Sequence, residues 1–63
     1  MTRVEQTAYD IGFDDGYATA HEYGISCATL AMNWVVGGGG PSTGWAYRVG
    51  CRDGQKEGGR VTR

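Results

Sequence analysis

The chain has 63 residues, twelve of them glycine, and a formal net charge of −1. That length allows one domain with a thin core, marginal unless a disulfide, a metal or an interface with another molecule adds burial. The near-neutral balance excludes a protein that simply coats nucleic acid, and the glycine content raises the entropy cost of folding, which points to a chain completed by an oligomer or a partner.

The first predicted element is a helix from about residue 3 to 24. Thr2 and Glu5 form a Thr-x-x-Glu capping box at its start. Small residues then recur every fourth position at Ala8, Gly12, Gly16, Ala20 and Gly24. Glycine inside a helix costs about 0.5–1 kcal/mol relative to alanine, so this spacing needs a reason. Residues four apart share one face, and small ones there make a groove along which another helix backbone can approach closely. Val4, Ile11 and Ala18, with Tyr9, Phe13 and Tyr17, surround the groove with larger apolar surface, while Asp10 and Asp14 point largely away from it.

Gly24 can end that helix and Ser26 can cap the next. Residues 26–36 read as a short apolar helix or as a continuation of the first, and are too short to span a membrane. The glycine-rich stretch 37–42 reads as a turn. It lacks the Gly-Lys-Ser/Thr element of a phosphate-binding loop.

The second main helix is expected from about 43 to 58, capped by Ser42 or Thr43. It carries its own small-residue ladder, Ala46, Gly50, Gly54 and Gly58, and Tyr47-x-x-Gly50-x-x-x-Gly54 repeats Tyr9-x-x-Gly12-x-x-x-Gly16. Arg48, Arg52, Lys56 and Arg60 recur every four residues as a basic row on the far side. Residues 59–63 are expected to be a mobile basic tail. The fold class expected is therefore all-α: an antiparallel helical hairpin held by close small-residue packing, with a short third helix as the one open element.

The charges are divided along the chain. Residues 1–35 carry Arg3 against Glu5, Asp10, Asp14, Asp15 and Glu22, a net of −4, and residues 36–63 carry a net of +3. This favours pairing of the two halves within one molecule or head to tail between molecules. Cys27 and Cys51 could close one disulfide. With no basic and apolar leader ahead of them, the expectation is two buried thiols in a cytoplasmic protein.

Catalytic and metal chemistry find little support. His21, Cys27 and Cys51 lack the short ligand spacings of a zinc site. His21 and Cys27, six apart on a continuous helix, would point about 120° apart, away from a nucleophile–base pair. Asp14 and Asp15 read as solvated charge. No cofactor and no small-molecule substrate are expected.

Gly16-Tyr17, Gly24, Cys27, Trp34 and Gly44-Trp45 resemble elements of the ribosome modulation factor family, short two-helix proteins with Gly-Tyr, Cys-Pro and Trp-x-x-Gly-Trp elements. The resemblance implies binding to ribosomal RNA and ribosome hibernation. The chain departs from that pattern at Ala28, which follows Cys27 where the family has Pro, in the wide separation of Trp34 and Trp45, and in its acidic first half.

The leading expectation is a small non-enzymatic protein-interaction module, of the kind found as phage-type host modulators or accessory subunits. Tyr9, Phe13, Tyr17, Trp34 and Trp45 are its anchors, because interfaces concentrate binding energy in buried aromatics. The alternatives are RNA or ribosome contact through Arg48, Arg52, Lys56 and Arg60, and a self-assembling structural subunit that packs both ladders against its own copies.

Overall fold

α1 (Arg3–Ala18) begins on the capping box: the Thr2 hydroxyl accepts from the Glu5 amide at 3.1 Å, and the Thr2 amide donates to Glu5 Oε1 at 2.8 Å. The computed structural model describes residues 1–60. α1 ends earlier than residue 24. Its last residue is Ala18, and Thr19 caps it, with its amide and its hydroxyl both donating to the Asp15 carbonyl, at 3.1 and 2.8 Å. Gly24 then sits in a turn at φ +80°, where a side chain would be strained.

α2 (Cys27–Trp34) is capped by Ser26, whose hydroxyl accepts from the Thr29 amide at 3.2 Å. A wider π-type turn over Val35–Gly39, interrupted at Gly38, and a single 3-10 turn over Pro41–Thr43 lead into α3 (Gly44–Arg60). α3 runs through Gly58 and Gly59 to Arg60, so the part of the expected tail at 59–60 is helical and 61–63 lie outside the described residues. Thr43 does not cap α3 with its side chain. Its buried hydroxyl accepts from Trp34 Nε1 at 3.0 Å and donates to the Gly39 carbonyl at 2.6 Å, tying the end of α2 to the start of α3.

The structure overturns the expected two-helix hairpin: the described residues form an all-α fold with three α-helices. It also corrects the direction of packing. Gly12 meets Tyr47 and Gly16 meets Cys51, while Phe13 meets Gly54 and Ala20 meets Gly58, so α1 and α3 run parallel. α2 is the return stroke. Cys27 is bonded to Cys51 and Trp34 lies beside Tyr47 and Thr43, which sets α2 antiparallel to α3. Small-residue spacing permits close approach in either direction, so the ladder alone did not specify a hairpin.

α3 lies in the middle, with α1 packed along one side and α2 along another, in a flat body measuring 35 × 22 × 12 Å. Its core is correspondingly slight. The buried apolar residues are Ala8, Cys27, Ala31, Ala46, Tyr47 and Cys51, with Leu30 and Trp34 packed partly against them. Among the described residues no valine, leucine, isoleucine, phenylalanine, methionine or tryptophan is fully buried. The expected pair of thiols is instead the Cys27–Cys51 disulfide, which fastens α2 to this small core.

Candidate protein-interaction surface

The small-residue ladders are used up inside the molecule. A methyl group added at Gly12 would lie 2.9 Å from the carbonyl carbon of Tyr47, at Gly16 2.8 Å from that of Cys51, at Gly50 2.9 Å from that of Tyr9, and at Gly54 2.9 Å from that of Phe13. At Gly58 it would meet the Ala20 side chain at 2.6 Å. Ala8, Gly12, Gly16, Ala46, Gly50, Gly54 and Gly58 are buried, and Ala20 is half-buried. Gly24, placed in the groove by its spacing, is exposed and touches no such neighbour. These residues form an internal seam, which leaves no glycine groove open to a partner along α1 or α3.

The seam has an approximate two-fold relation. Ala8, Tyr9, Gly12, Asp15 and Gly16 correspond to Ala46, Tyr47, Gly50, Asp53 and Gly54, and each contact made by one set is mirrored by the other. Gly12 meets Tyr47 as Gly50 meets Tyr9, and Gly16 meets Cys51 as Gly54 meets Phe13. The Tyr9 hydroxyl donates to Asp53 and the Tyr47 hydroxyl donates to Asp15. Sequence reasoning missed both carboxylates, treating Asp15 as solvated; the available signal was the full Ala-Tyr-x-Ile/Val-Gly-x-x-Asp-Gly match between the halves. The two phenols respond to this setting. The bond to Asp53 first, and burial second, raise the Tyr9 pKa above its ordinary value, whereas for Tyr47 burial leads and the bond to Asp15 follows.

The predicted anchors separate into three places. Tyr9, Phe13 and Tyr17 form a ladder of near-parallel rings along α1, with Tyr17 45% exposed. Trp34 is stacked on Tyr47 at 5.3 Å between ring centroids and is half-buried. Trp45 is 51% exposed and lines a shallow groove between α2 and α3. That groove, about 660 Å³, has Met32 and Val35 on the α2 side and Trp45 and Val49 on the α3 side, with Arg48 and Arg52 contributing the cations. The basic row of Arg48, Arg52, Lys56 and Arg60 is exposed throughout.

The acidic counterpart lies elsewhere. Asp10 and Asp14 are exposed on α1, at positions equivalent to Arg48 and Arg52 in the two-fold relation, and Ile11 between them corresponds to Val49. A two-fold axis places equivalent rows on opposite sides of the helix pair. Consistent with that, no ion pair joins the two rows among the described residues; the resolved pair is Arg60–Glu57 at 3.6 Å, within α3. Among the described residues, the intramolecular pairing expected from the sequence is thus not made between these two rows.

His21 lies exposed in the turn after α1. Among the described residues no cluster of three or more His, Cys, Asp or Glu side chains is placed to hold a metal ion, and no helix is long and apolar enough to cross a membrane. No protein family, curated protein or solved structure matches this chain.

Proposed function

We propose that this chain is a small non-enzymatic protein-interaction module that docks its partner in the groove between α2 and α3. One observation carries the reading: the buried core contains nothing aliphatic larger than alanine, while Met32, Trp45 and Val49, which line that groove, stand 62%, 51% and 40% exposed. Apolar surface of this kind gains about 25 cal/mol per Å² when covered, and an exposed tryptophan lining such a groove is a characteristic interface anchor. Accessory-subunit function follows naturally from such a module. The disulfide favours an oxidising compartment over the expected cytoplasm.

The test is a photo-crosslinking residue at position 45, with position 23 on the exposed turn as control. Specific crosslinks to protein from position 45 and none from position 23 are expected. Equal labelling from both positions, or none, overturns the groove.

A second reading, contact with RNA through Arg48, Arg52, Lys56 and Arg60, is favoured by the exposure of all four along α3. It requires an affinity that falls steeply with salt. Absence of RNA binding at low salt rejects it.

A further inference from the structure

We infer that the occupant of the α2–α3 groove is the outer face of α1 from a second copy of this chain, so that copies associate head to tail. The inference rests on the groove reading above and names its partner. Three features support it.

The first is charge complementarity at matched spacing. Asp10 and Asp14 stand one helical turn apart on α1, as Arg48 and Arg52 do on α3, so one pair can meet the other in register when the helices are laid side by side. The second is apolar complementarity. Ile11, 37% exposed, adjoins Asp14 one turn along α1, while Met32, Trp45 and Val49 line the groove with the arginines. The third is that neither row is paired with the other inside the molecule. Opposite charges carried on opposite sides of one flat body leave attraction between molecules as the way to bring the two rows together.

The geometry also determines the kind of assembly. The donor face on α1 and the acceptor groove beside α3 are different surfaces, so each copy that docks brings a fresh groove and a fresh acidic face. A heterologous contact of this type propagates into an open chain unless its rotation closes a ring. A symmetric dimer would bury the same face of both copies and leave the acidic face on the opposite side out of contact.

Light scattering across a range of concentrations and salt tests the inference with two charge-reversed variants. Arg48→Asp with Arg52→Asp gives a chain whose groove and α1 face are both acidic; Asp10→Arg with Asp14→Arg gives one in which both are basic. The wild type is expected to gain mass with concentration and lose it with salt. Each variant alone is expected to remain at the monomer mass of 6.7 kDa, with helical circular dichroism retained. An equimolar mixture is expected to recover association, because each variant's α1 face then finds an oppositely charged groove. A monomeric wild type at every concentration, or a mixture that stays monomeric, overturns the second copy as occupant. If crosslinks from position 45 to a different protein accompany that result, the groove reading survives the loss of this inference. Association that disappears with nuclease overturns it in favour of RNA.

Discussion

Replacing Gly12 by alanine sets two opposing effects against each other, and the structure decides between them. In an open helix interior the change gains about 0.5–1 kcal/mol, because alanine restricts the unfolded chain and favours the helix. At Gly12 the new methyl would lie 2.9 Å from the carbonyl carbon of Tyr47 and 3.0 Å from its Cα. The Tyr47 carbonyl oxygen would lie closer still, well inside contact distance, so α3 must retreat by about 1 Å. A helix cannot retreat at one residue alone. The shift loosens the contacts at Gly16, Gly50 and Gly54 along the same seam, and the obstacle is backbone, which has no rotamer to change. Overpacking costs about 1–3 kcal/mol, and this site belongs at the upper end. After the propensity gain is subtracted, a net loss of about 2 kcal/mol remains. The natural control is Gly59→Ala, also in α3, where a methyl meets nothing within 4 Å. Only the favourable effect operates there, and a gain of up to about 0.5 kcal/mol is expected close to the helix end. Urea denaturation followed by circular dichroism, without reductant, reads both. A Gly12→Ala variant as stable as the wild type, or a Gly59→Ala variant as damaged as Gly12→Ala, would refute the reasoning.

Three other perturbations test separate parts of the structure. Reducing the Cys27–Cys51 bond, which spans a sequence separation of 24, is expected to cost about 3 kcal/mol through the freed unfolded chain; an unchanged urea midpoint with and without reductant would contradict it. Tyr47→Phe removes a hydrogen bond to a carboxylate and is expected to cost about 1 kcal/mol at neutral pH. Because folding raises the pKa of Tyr9 and Tyr47, the folded state holds its phenolic protons more tightly than the unfolded state. Stability should therefore be level with respect to these groups below about pH 10, the ordinary tyrosine value, and fall above it. A pH series of urea midpoints should show that decline reduced in Tyr47→Phe, and a wild type that gains stability above pH 10 would show the sign to be wrong. Thr2→Ala breaks the capping box and is expected to cost about 1 kcal/mol, read as a lower melting temperature; no change would mean that the first turn of α1 is frayed.

The local signals in the sequence were legible where a few neighbouring residues determine the outcome. Thr2 with Glu5 announces the start of α1, and Ser26 announces α2, because a cap is a contact between residues three apart. The end of α1 was not legible: the helix stops at Ala18, where no glycine or proline stands, and Gly24 belongs to the turn that follows. The small-residue spacing marked a close seam, but the direction of the partner depends on whether the intervening chain makes a second crossing. That was decided by α2, whose separate existence the apolar run from Ile25 to Val36 left open. The Tyr9–Asp53 and Tyr47–Asp15 bonds were hidden for another reason. Asp15 stands next to Asp14, and only the alignment of the whole half with residues 46–54 distinguishes the carboxylate that faces the seam from the one on the outer face.

The parallel seam also has a consequence during synthesis. α1 leaves the ribosome first, yet the backbone that fills its glycine positions belongs to the last helix of the chain, as the contacts of Gly12 with Tyr47 and Gly54 with Phe13 show. Closing so long a loop precedes the reward of the contacts it brings together. Until Gly54 has emerged, a nascent α1 is half of a joint, and the ladder it exposes matches that of a neighbouring nascent α1 as well as that of its own α3. The seam can therefore close only after the end of α3 has been made.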